Sequence, residues 1–148
     1  MDWVVISAVA EATAAFGVIG SLIFVGYQVK QNSAGLRYAA VQTQLSSTQD
    51  LAGELALSSE VAEIYQQGTY DIENMEGTSR VRFLILGSRM LRSFQSVHWM
   101  WQRGVLDDGL FRSQSVLLED IVAYPGYQYL WKLRRHQYDT DFQHYMDK

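Results

Sequence analysis

Cysteine is absent from the chain, and Pro125 is its only proline among 148 residues. Without cysteine there can be no disulfide framework, no thiolate nucleophile and no zinc site built on cysteine. A single proline, together with the lack of any period-two alternation of apolar and polar residues, indicates a helical chain with few sharply punctuated loops. We therefore expect an all-α protein.

A basic charge balance is also lacking. Lysine and arginine together number 12 against 16 aspartates and glutamates, which gives a formal net charge of −4. A general nucleic-acid binder needs a strongly basic surface to contact phosphates. The composition therefore predicts no nucleic-acid partner.

No established catalytic or cofactor-binding motif is present. The sequence contains no glycine-rich phosphate loop, no G-x-S-x-G turn and no H-E-x-x-H pair. It predicts no catalytic residue, no bound cofactor and no metal site, and we expect a protein that is not an enzyme.

One long hydrophobic run, Trp3–Tyr27, dominates the N-terminal part of the chain, and Glu11 is its only charged residue. As a helix it would extend ~36 Å at ~1.5 Å per residue, enough to cross a ~30 Å hydrocarbon core. Trp3 and Tyr27 stand at its ends, where aromatic rings prefer the headgroup level. We predict a transmembrane anchor over residues 1–30 and a soluble helical domain over residues 31–148.

Two other interpretations fit this run less well. A cleaved signal peptide needs basic residues before its apolar segment, and only Met1 and Asp2 precede this one. A buried helix of a soluble protein seldom carries an apolar run of such length. Lys30 and Arg37 follow the run and no basic residue precedes it, so the positive-inside bias places the N-terminus outside and the soluble domain in the cytoplasm.

Small residues recur along the predicted span at an average spacing of 3.5. They are Ala10, Ala14, Gly17 and Ser21. Such a seam lets a second helix approach closely, and Glu11 flanks it. An ionised carboxylate facing lipid would cost at least ~2–3 kcal/mol, so we expect Glu11 to be protonated, to reach the interface, or to meet a partner's donor. The alternative is a tolerated neutral glutamate near the outer interface.

The residues after the span carry a resemblance. Ser21–Arg37 is SLIFVGYQVKQNSAGLR. It resembles a widespread group of uncharacterised bacterial proteins, common among marine species, with an acid-containing N-terminal span, a Gln-x-(Lys/Arg)-Gln-Asn-(Thr/Ser) junction and a helical domain. The matching residues and segments are Glu11, Gln28, Lys30, Gln31, Asn32, Ser33, Ser58–Gly68 and Arg103–Phe111. The resemblance implies a single-pass protein of the bacterial inner membrane and brings no activity.

Capping signals divide the remainder into helices. The predicted segments are Ser33–Leu57, a short helix from Ser58 or Ser59 to Gln67 closed by Gly68, a loop at Tyr70–Gly77, Arg80–Arg103 ended by Gly104, Asp107–Val122 capped by Asp107, a helix starting at Pro125, and a last helix capped by Asp139 or Thr140. Asn32, Ser33 and Gly35 leave open whether the anchor continues into the next helix.

Helical periodicity predicts which residues face the core. On Ser33–Leu57 they are Tyr38, Val41, Leu45, Thr48, Ala52 and Leu55. On Arg80–Arg103 they are Phe83, Leu86, Gly87, Met90, Leu91, Phe94, Val97, His98 and Trp101. On the helix after Asp107 they are Leu110, Phe111, Leu117, Leu118 and Ile121.

The other side of Arg80–Arg103 carries an arginine stripe: Arg82, Arg89, Arg92 and Arg103, with Ile85 and Trp99 among them. A mixed Arg and Trp surface is typical of interfaces, and it could meet a partner protein or anionic headgroups. The alternative is a solvated face with weak ion pairs.

The histidines are the remaining candidates for a catalytic or metal-binding role. His98 falls on an apolar helix face, which favours a core residue over a ligand. His136, Asp139, Asp141 and His144 form H-x-x-D-x-D-x-x-H, whose spacing matches no known metal site. A solvated polar segment is the preferred interpretation.

The sequence favours one function over two alternatives. The leading hypothesis is a non-catalytic accessory or scaffold subunit that associates with membrane proteins, or with itself, through its anchor in the lipid bilayer. The second is a membrane-tethered sensor or small-molecule binder with a pocket near His98. The third is a metal-dependent enzyme that uses the residues between His136 and His144.

Overall fold

A computed structural model describes residues 2–148, and they form an all-helical structure, as predicted. No strand occurs among these residues. The helices are α1 (Trp3–Leu57), α2 (Ser59–Asp71), α3 (Gly77–Gln102), α4 (Asp108–Val122), α5 (Pro125–Arg134) and α6 (Thr140–Met146), with 3₁₀ turns at Ile72–Asn74 and Arg135–Gln137.

The chain divides into two compact units. The first ends at Ala40, and the second is Val41–Lys148. Because α1 runs from Trp3 to Leu57, its N-terminal part makes up the first unit and its C-terminal part belongs to the second.

In the first unit, α1 is a helix without interruption, and it passes Asn32, Ser33 and Gly35 without a break. Every side chain from residue 3 to residue 40 is exposed. By length and composition this helix could cross a membrane: its most apolar 18-residue window has a mean hydropathy of 1.9, and none of that window is buried. A membrane span and a signal sequence both have these properties.

In the second unit, the inward face of the rest of α1 overlaps the predicted one, since Val41, Leu45, Thr48 and Leu55 are half-buried, but it is shifted around the helix. Tyr38, which belongs to the first unit, and Ala52 are exposed, whereas Leu51, which the periodicity missed, is buried. The inward face is rotated by roughly 40° at 100° per residue. The rotation brings Gln44 onto the inward side, where its amide donates to the Ser93 hydroxyl of α3 at 2.8 Å.

The core of the second unit is built on α3. Phe83, Leu91, Leu130 and Phe142 are fully or almost fully buried in one cluster, to which α2 through α6 all contribute. A smaller cluster of Val97, Met100 and Leu106 lies at the C-terminal end of α3. The inward face predicted for α3 is confirmed, since its residues are buried or half-buried.

The predicted caps of the later helices are confirmed. The side chains of Ser58, Asp107 and Asp139 accept hydrogen bonds from backbone N–H groups three residues on, at 3.3, 3.0 and 2.9 Å. Pro125 occupies the first turn of α5. Gly104 follows α3 at φ +64°, a conformation that glycine adopts without the strain other residues incur.

Three local predictions are wrong. Gly68 does not close α2, which continues to Asp71; the glycine is buried because the Phe83 ring lies against it. Of the loop predicted at Tyr70–Gly77, Tyr70 and Asp71 belong to α2, Ile72–Asn74 form a 3₁₀ turn, and Gly77 begins α3, which leaves only Glu76 and the buried Met75 between helices. Leu117 is exposed, because the inward side of α4 is centred on Leu118 and Ile121.

Candidate functional site

A groove of about 450 Å³ lies beside α3 in the second unit, and we call it the arginine groove. It is lined from three helices: α1 contributes Gln44 and Ser47, α5 contributes Arg134, and α3 contributes Ile85, Ser88, Arg89, Arg92, Ser93 and Ser96. Three of these nine residues are arginines and none is acidic.

Helical spacing explains why α3 contributes so many side chains. Ser88, Arg92 and Ser96 are four residues apart, so they lie above one another on one side of the helix. Arg89 and Ser93 repeat that spacing one position further around. One side of α3 therefore carries an alternating row of hydroxyl and guanidinium groups, from the buried Ser88 to the exposed Arg92 and Ser96.

The α1 wall of the groove is held by specific polar contacts. The Gln44 amide donates to the Ser93 hydroxyl at 2.8 Å and to the Ser93 carbonyl oxygen at 3.1 Å. The hydroxyls of Thr48 and Ser93 share a hydrogen bond of 2.8 Å. The Arg89 guanidinium donates to the Glu54 carboxylate at 2.7 Å. These contacts fix the position of α1 in the second unit against α3.

The α5 wall is held by Arg134. Its guanidinium donates to the Ser88 hydroxyl at 2.8 Å and to the Leu84 carbonyl oxygen at 3.4 Å. Both acceptors are neutral. The guanidinium is therefore held in place, but no acidic side chain forms an ion pair with it.

A buried hydroxyl lies beneath the groove. The Tyr138 side chain is 5% exposed, and its oxygen has no hydrogen-bond partner. Burial raises the pKa of Tyr138, whereas the nearby Ser88 hydroxyl, Arg92 and Arg134 act to lower it. Ser88 is therefore close enough to influence this hydroxyl without completing a hydrogen bond of ordinary geometry.

The structure divides the predicted arginine stripe. Arg89 and Arg92 line the groove, but Arg82 forms an ion pair with Glu60 at 2.5 Å. Arg103 lies over the Trp99 ring, with its guanidinium carbon 4.9 Å from the ring centroid. Trp99 is half exposed, so this end of the stripe is an open surface.

Sequence periodicity missed Arg134, because this residue lies on another helix more than forty positions along the chain. It also missed the acidic partners Glu54 and Glu60, which lie on α1 and α2. Nothing in the local sequence marks these pairings, since each depends on how the helices pack.

The predicted seam of α1 lies wholly at the surface. Ala10, Glu11, Ala14, Gly17 and Ser21 are all exposed. A Cβ atom built at Gly17 would meet no other atom within 4 Å. The Ser21 hydroxyl donates to the Val18 carbonyl oxygen of its own helix at 2.8 Å. The small side chains therefore leave a shallow open track along the helix.

His98 lies in the core, 4% exposed, as its position on the apolar face predicts. The nearest aromatic ring is that of Tyr145, with 4.8 Å between centroids, and the rings of Trp101, Phe111 and Phe142 surround it further out. Burial lowers the pKa of His98, and the carboxylates of Asp139 and Asp141 oppose that change.

A second cleft, of about 390 Å³, opens beside this histidine. Its lining residues are His98, Trp101, Gln102, Asp141, His144, Tyr145 and Lys148. In residues 2–148 no three histidine or acidic side chains come together in a way that could hold a metal ion. Asp139 instead caps α6.

The chain was compared with protein families, with characterised proteins and with solved structures, and nothing matches it. The structure itself shows an all-helical fold over residues 2–148, with an exposed apolar stretch in the N-terminal part of α1. Any functional assignment rests on the residues themselves.

Proposed function

We propose that this protein is a non-catalytic, membrane-anchored accessory subunit that associates with other membrane proteins, or with a second copy of itself, through the N-terminal part of α1. The observation that carries the proposal is the uncovered apolar surface of that helix. Within residues 3–40 every side chain is exposed.

The exposed side chains are large. Trp3 is 84% exposed, Phe16 is 75% exposed and Leu22 is 65% exposed. Apolar surface is stabilised by roughly 25 cal/mol per Å² when it leaves water, and soluble monomers rarely keep apolar patches beyond a few hundred Å². A bilayer removes the whole circumference of a helix from water, which a single docked partner would not do.

Anchoring explains the apolar surface but does not require the seam. In lipid, helices associate through close packing rather than through a hydrophobic driving force, and small residues permit that packing. Ala10, Ala14, Gly17 and Ser21 provide such a track, and Glu11 beside it would favour a partner that supplies a hydrogen-bond donor. These features support association within the membrane.

The direction of insertion follows from the flanking charges. Lys30 and Arg37 follow the apolar run, and this positive charge supports an orientation with Val41–Lys148 in the cytoplasm and the N-terminus on the other side of a bacterial inner membrane. The open end of the arginine stripe, at Trp99 and Arg103, would then offer a cytoplasmic surface to the same partner.

The test is a matched pair of substitutions in the full chain, reconstituted in bilayers. Ala14→Leu and Gly17→Leu fill the seam, whereas Ala12→Leu and Gly26→Leu make the same changes on the opposite side of the helix at 100° per residue. Cross-linking in native membranes and in proteoliposomes measures association. We expect the seam variants to reduce it severalfold and the control variants to leave it unchanged.

Two results would overturn the proposal. One is a chain that is recovered in the soluble fraction without detergent. The other is equal cross-linking in all four variants, since association would then be independent of the seam.

Small-molecule binding is a second candidate function, favoured by the 390 Å³ cleft beside His98, because small-molecule sites commonly occupy 300–1,000 Å³. Thermal shift of the full chain in detergent against divalent metal ions and a panel of metabolites tests it. His98→Gln should abolish any shift that arises in this cleft. A flat response to the whole panel would exclude it.

A further inference from the structure

Two arginines of the groove keep uncompensated charges. Residues 2–148 form three side-chain ion pairs, namely Arg82 with Glu60, Arg89 with Glu54 and Arg135 with Asp147. Arg92 and Arg134 take part in none of them. They approach the groove from α3 and from α5, so two positive charges converge on one concave surface. Like charges brought together repel unless an anion lies between them.

Two of the neutral lining residues also suit an anion. Ser47 and Ser88 contribute hydroxyl groups to the lining, whereas the Ser96 hydroxyl already donates to the Arg92 carbonyl oxygen and the Gln44 amide already donates to Ser93. A hydroxyl can donate one hydrogen bond, and a guanidinium group up to five. No carboxylate in the lining competes for these donors. The chemistry of the groove is therefore that of an oxyanion site.

The positive charge of the groove favours one class of anion over another. A phosphate monoester carries about −1.5 to −2 charges near pH 7 and presents three strong acceptor oxygens, whereas a carboxylate carries one charge and two oxygens. Arg92 and Arg134, which take part in no ion pair, together balance the charge of a monoester. A carboxylate would neutralise only one of these two positive charges. The volume of about 450 Å³ also admits the organic body of an ester, with Ile85 as an apolar contact.

A second observation concerns Tyr138, which lies near Ser88, Arg92 and Arg134 of the groove. The buried Tyr138 hydroxyl has no hydrogen-bond partner, and the neighbouring Ser88 hydroxyl is held by Arg134. Leaving a buried hydroxyl unpaired is unfavourable. Because a hydroxyl oxygen can accept two hydrogen bonds, a small shift of Ser88 that accompanies anion binding would let it accept one from Tyr138 as well as from Arg134.

We propose that the arginine groove binds a phosphate monoester, with Arg92 and Arg134 contacting the phosphate oxygens. The monoester can belong to a soluble metabolite or to a phosphomonoester lipid headgroup, because the groove recognises the chemistry that they share. This proposal goes beyond association through α1 and does not depend on it, so either can fail alone.

The first experiment uses phenyl phosphate as the probe. The full chain, reconstituted in phosphatidylcholine nanodiscs, is titrated by isothermal calorimetry with phenyl phosphate, with benzoate and with phenyl sulfate. We expect phenyl phosphate to bind at least tenfold more tightly than either monoanion. Arg92→Gln should weaken it roughly tenfold, as expected for a lost charge-assisted hydrogen bond.

Matched controls separate binding from folding. Arg112 is exposed on α4, outside the groove, so Arg112→Gln makes the same change in charge and should leave binding unaltered. Arg134→Gln should weaken binding as Arg92→Gln does. Because Arg134 also holds Ser88 and Leu84, the exposed Arg92 remains the decisive position if the Arg134 variant does not fold.

Nanodiscs that contain phosphatidic acid distinguish the two sources of the phosphate monoester, a lipid headgroup and a soluble metabolite. A fall in phenyl phosphate affinity in these discs, relative to discs of phosphatidylcholine alone, identifies a lipid headgroup as the competitor; an unchanged affinity identifies a soluble ester. The proposal is overturned if phenyl phosphate does not bind at millimolar concentration, if benzoate binds equally well, or if Arg92→Gln and Arg112→Gln weaken binding equally.

Discussion

Gly68 of α2 and Gly126 of α5 meet backbone against backbone: a Cβ atom added to Gly126 would overlap the carbonyl oxygen of Gly68. The Phe83 ring of α3 closes over both glycines. Three helices therefore converge at a point where no side chain larger than hydrogen fits at either glycine. This contact sets the spacing of α2 and α5 in the core of the second unit.

Gly126→Ala should reduce the free energy of unfolding by about 1–3 kcal/mol, because the added methyl group must separate two backbones. Near-UV circular dichroism of the full chain in detergent, followed through a urea titration, measures the loss of the aromatic core. Gly53→Ala is the matched control, since a Cβ atom there meets nothing within 4 Å and alanine favours a helix. A Gly126→Ala variant as stable as the wild type would show that the close contact does not constrain the core.

These glycines also show what the sequence could and could not predict. The caps at Ser58, Asp107 and Asp139 were predicted because each depends on residues within one helical turn. Gly68 was mistaken for a helix end because a glycine that ends a helix and a glycine that lets another helix approach look alike in one sequence. Only the packing of Phe83 against it separates the two.

The groove also combines features that local sequence predicts with features that depend on how the helices pack. Periodicity placed Arg89 and Arg92 on the outer side of α3, and the structure confirms that position. It could not show that Glu54 pairs with one of them, or that Arg134 adds a third charge from another helix. The seam of α1 needed only local spacing, but the first unit contains nothing that covers it. Its role as an interface stays a prediction.

Two buried tyrosines should respond in opposite directions to the loss of a hydroxyl. The Tyr138 oxygen has no partner, so Tyr138→Phe should raise the free energy of unfolding by about 1 kcal/mol. The Tyr127 hydroxyl shares a hydrogen bond of 3.0 Å with Tyr65, so Tyr127→Phe should lower it by about 1 kcal/mol. The same urea titration measures both.

The two variants control for each other, because each makes the same chemical change at a buried ring in the same cluster. Destabilisation by Tyr138→Phe would show that its hydroxyl does have a partner. The inference that an unpaired Tyr138 hydroxyl lies near the groove would then be wrong.

Acidification should destabilise the second unit through His98. Because burial lowers the pKa of this imidazole below 6.5, the unfolded chain binds its proton first as the pH falls. The free energy of unfolding should therefore decrease as the pH drops from 6.5 towards the native pKa and stay level below it, with no contribution above 6.5. Asp139 and Asp141 reduce this effect, and Lys148 adds to it.

NMR titration of the imidazole Cε1 proton measures the native pKa directly, with His98→Gln identifying the resonance. Urea titrations at pH 7.5 and pH 5.5 measure the change in stability, which should be smaller in His98→Gln than in the wild type. A midpoint above 6.5 would contradict the prediction, since the charged form would then be favoured by the fold.

Glu11 should contribute to association in the membrane as a hydrogen-bonding group. If it meets a donor or acceptor on a neighbouring helix, Glu11→Gln keeps the shape and the hydrogen-bonding capacity, and cross-linking of the full chain in proteoliposomes should stay near the wild-type level. Glu11→Leu removes both and should reduce cross-linking by a few fold, because interhelical hydrogen bonds in membranes contribute roughly 0.6–2 kcal/mol. Ala12→Leu, which adds an apolar side chain on the side of the helix opposite the seam, is the control and should have no effect. Equal cross-linking of the Glu11→Gln, Glu11→Leu and Ala12→Leu variants would mean that Glu11 faces lipid or the interface, and that the seam associates through packing alone.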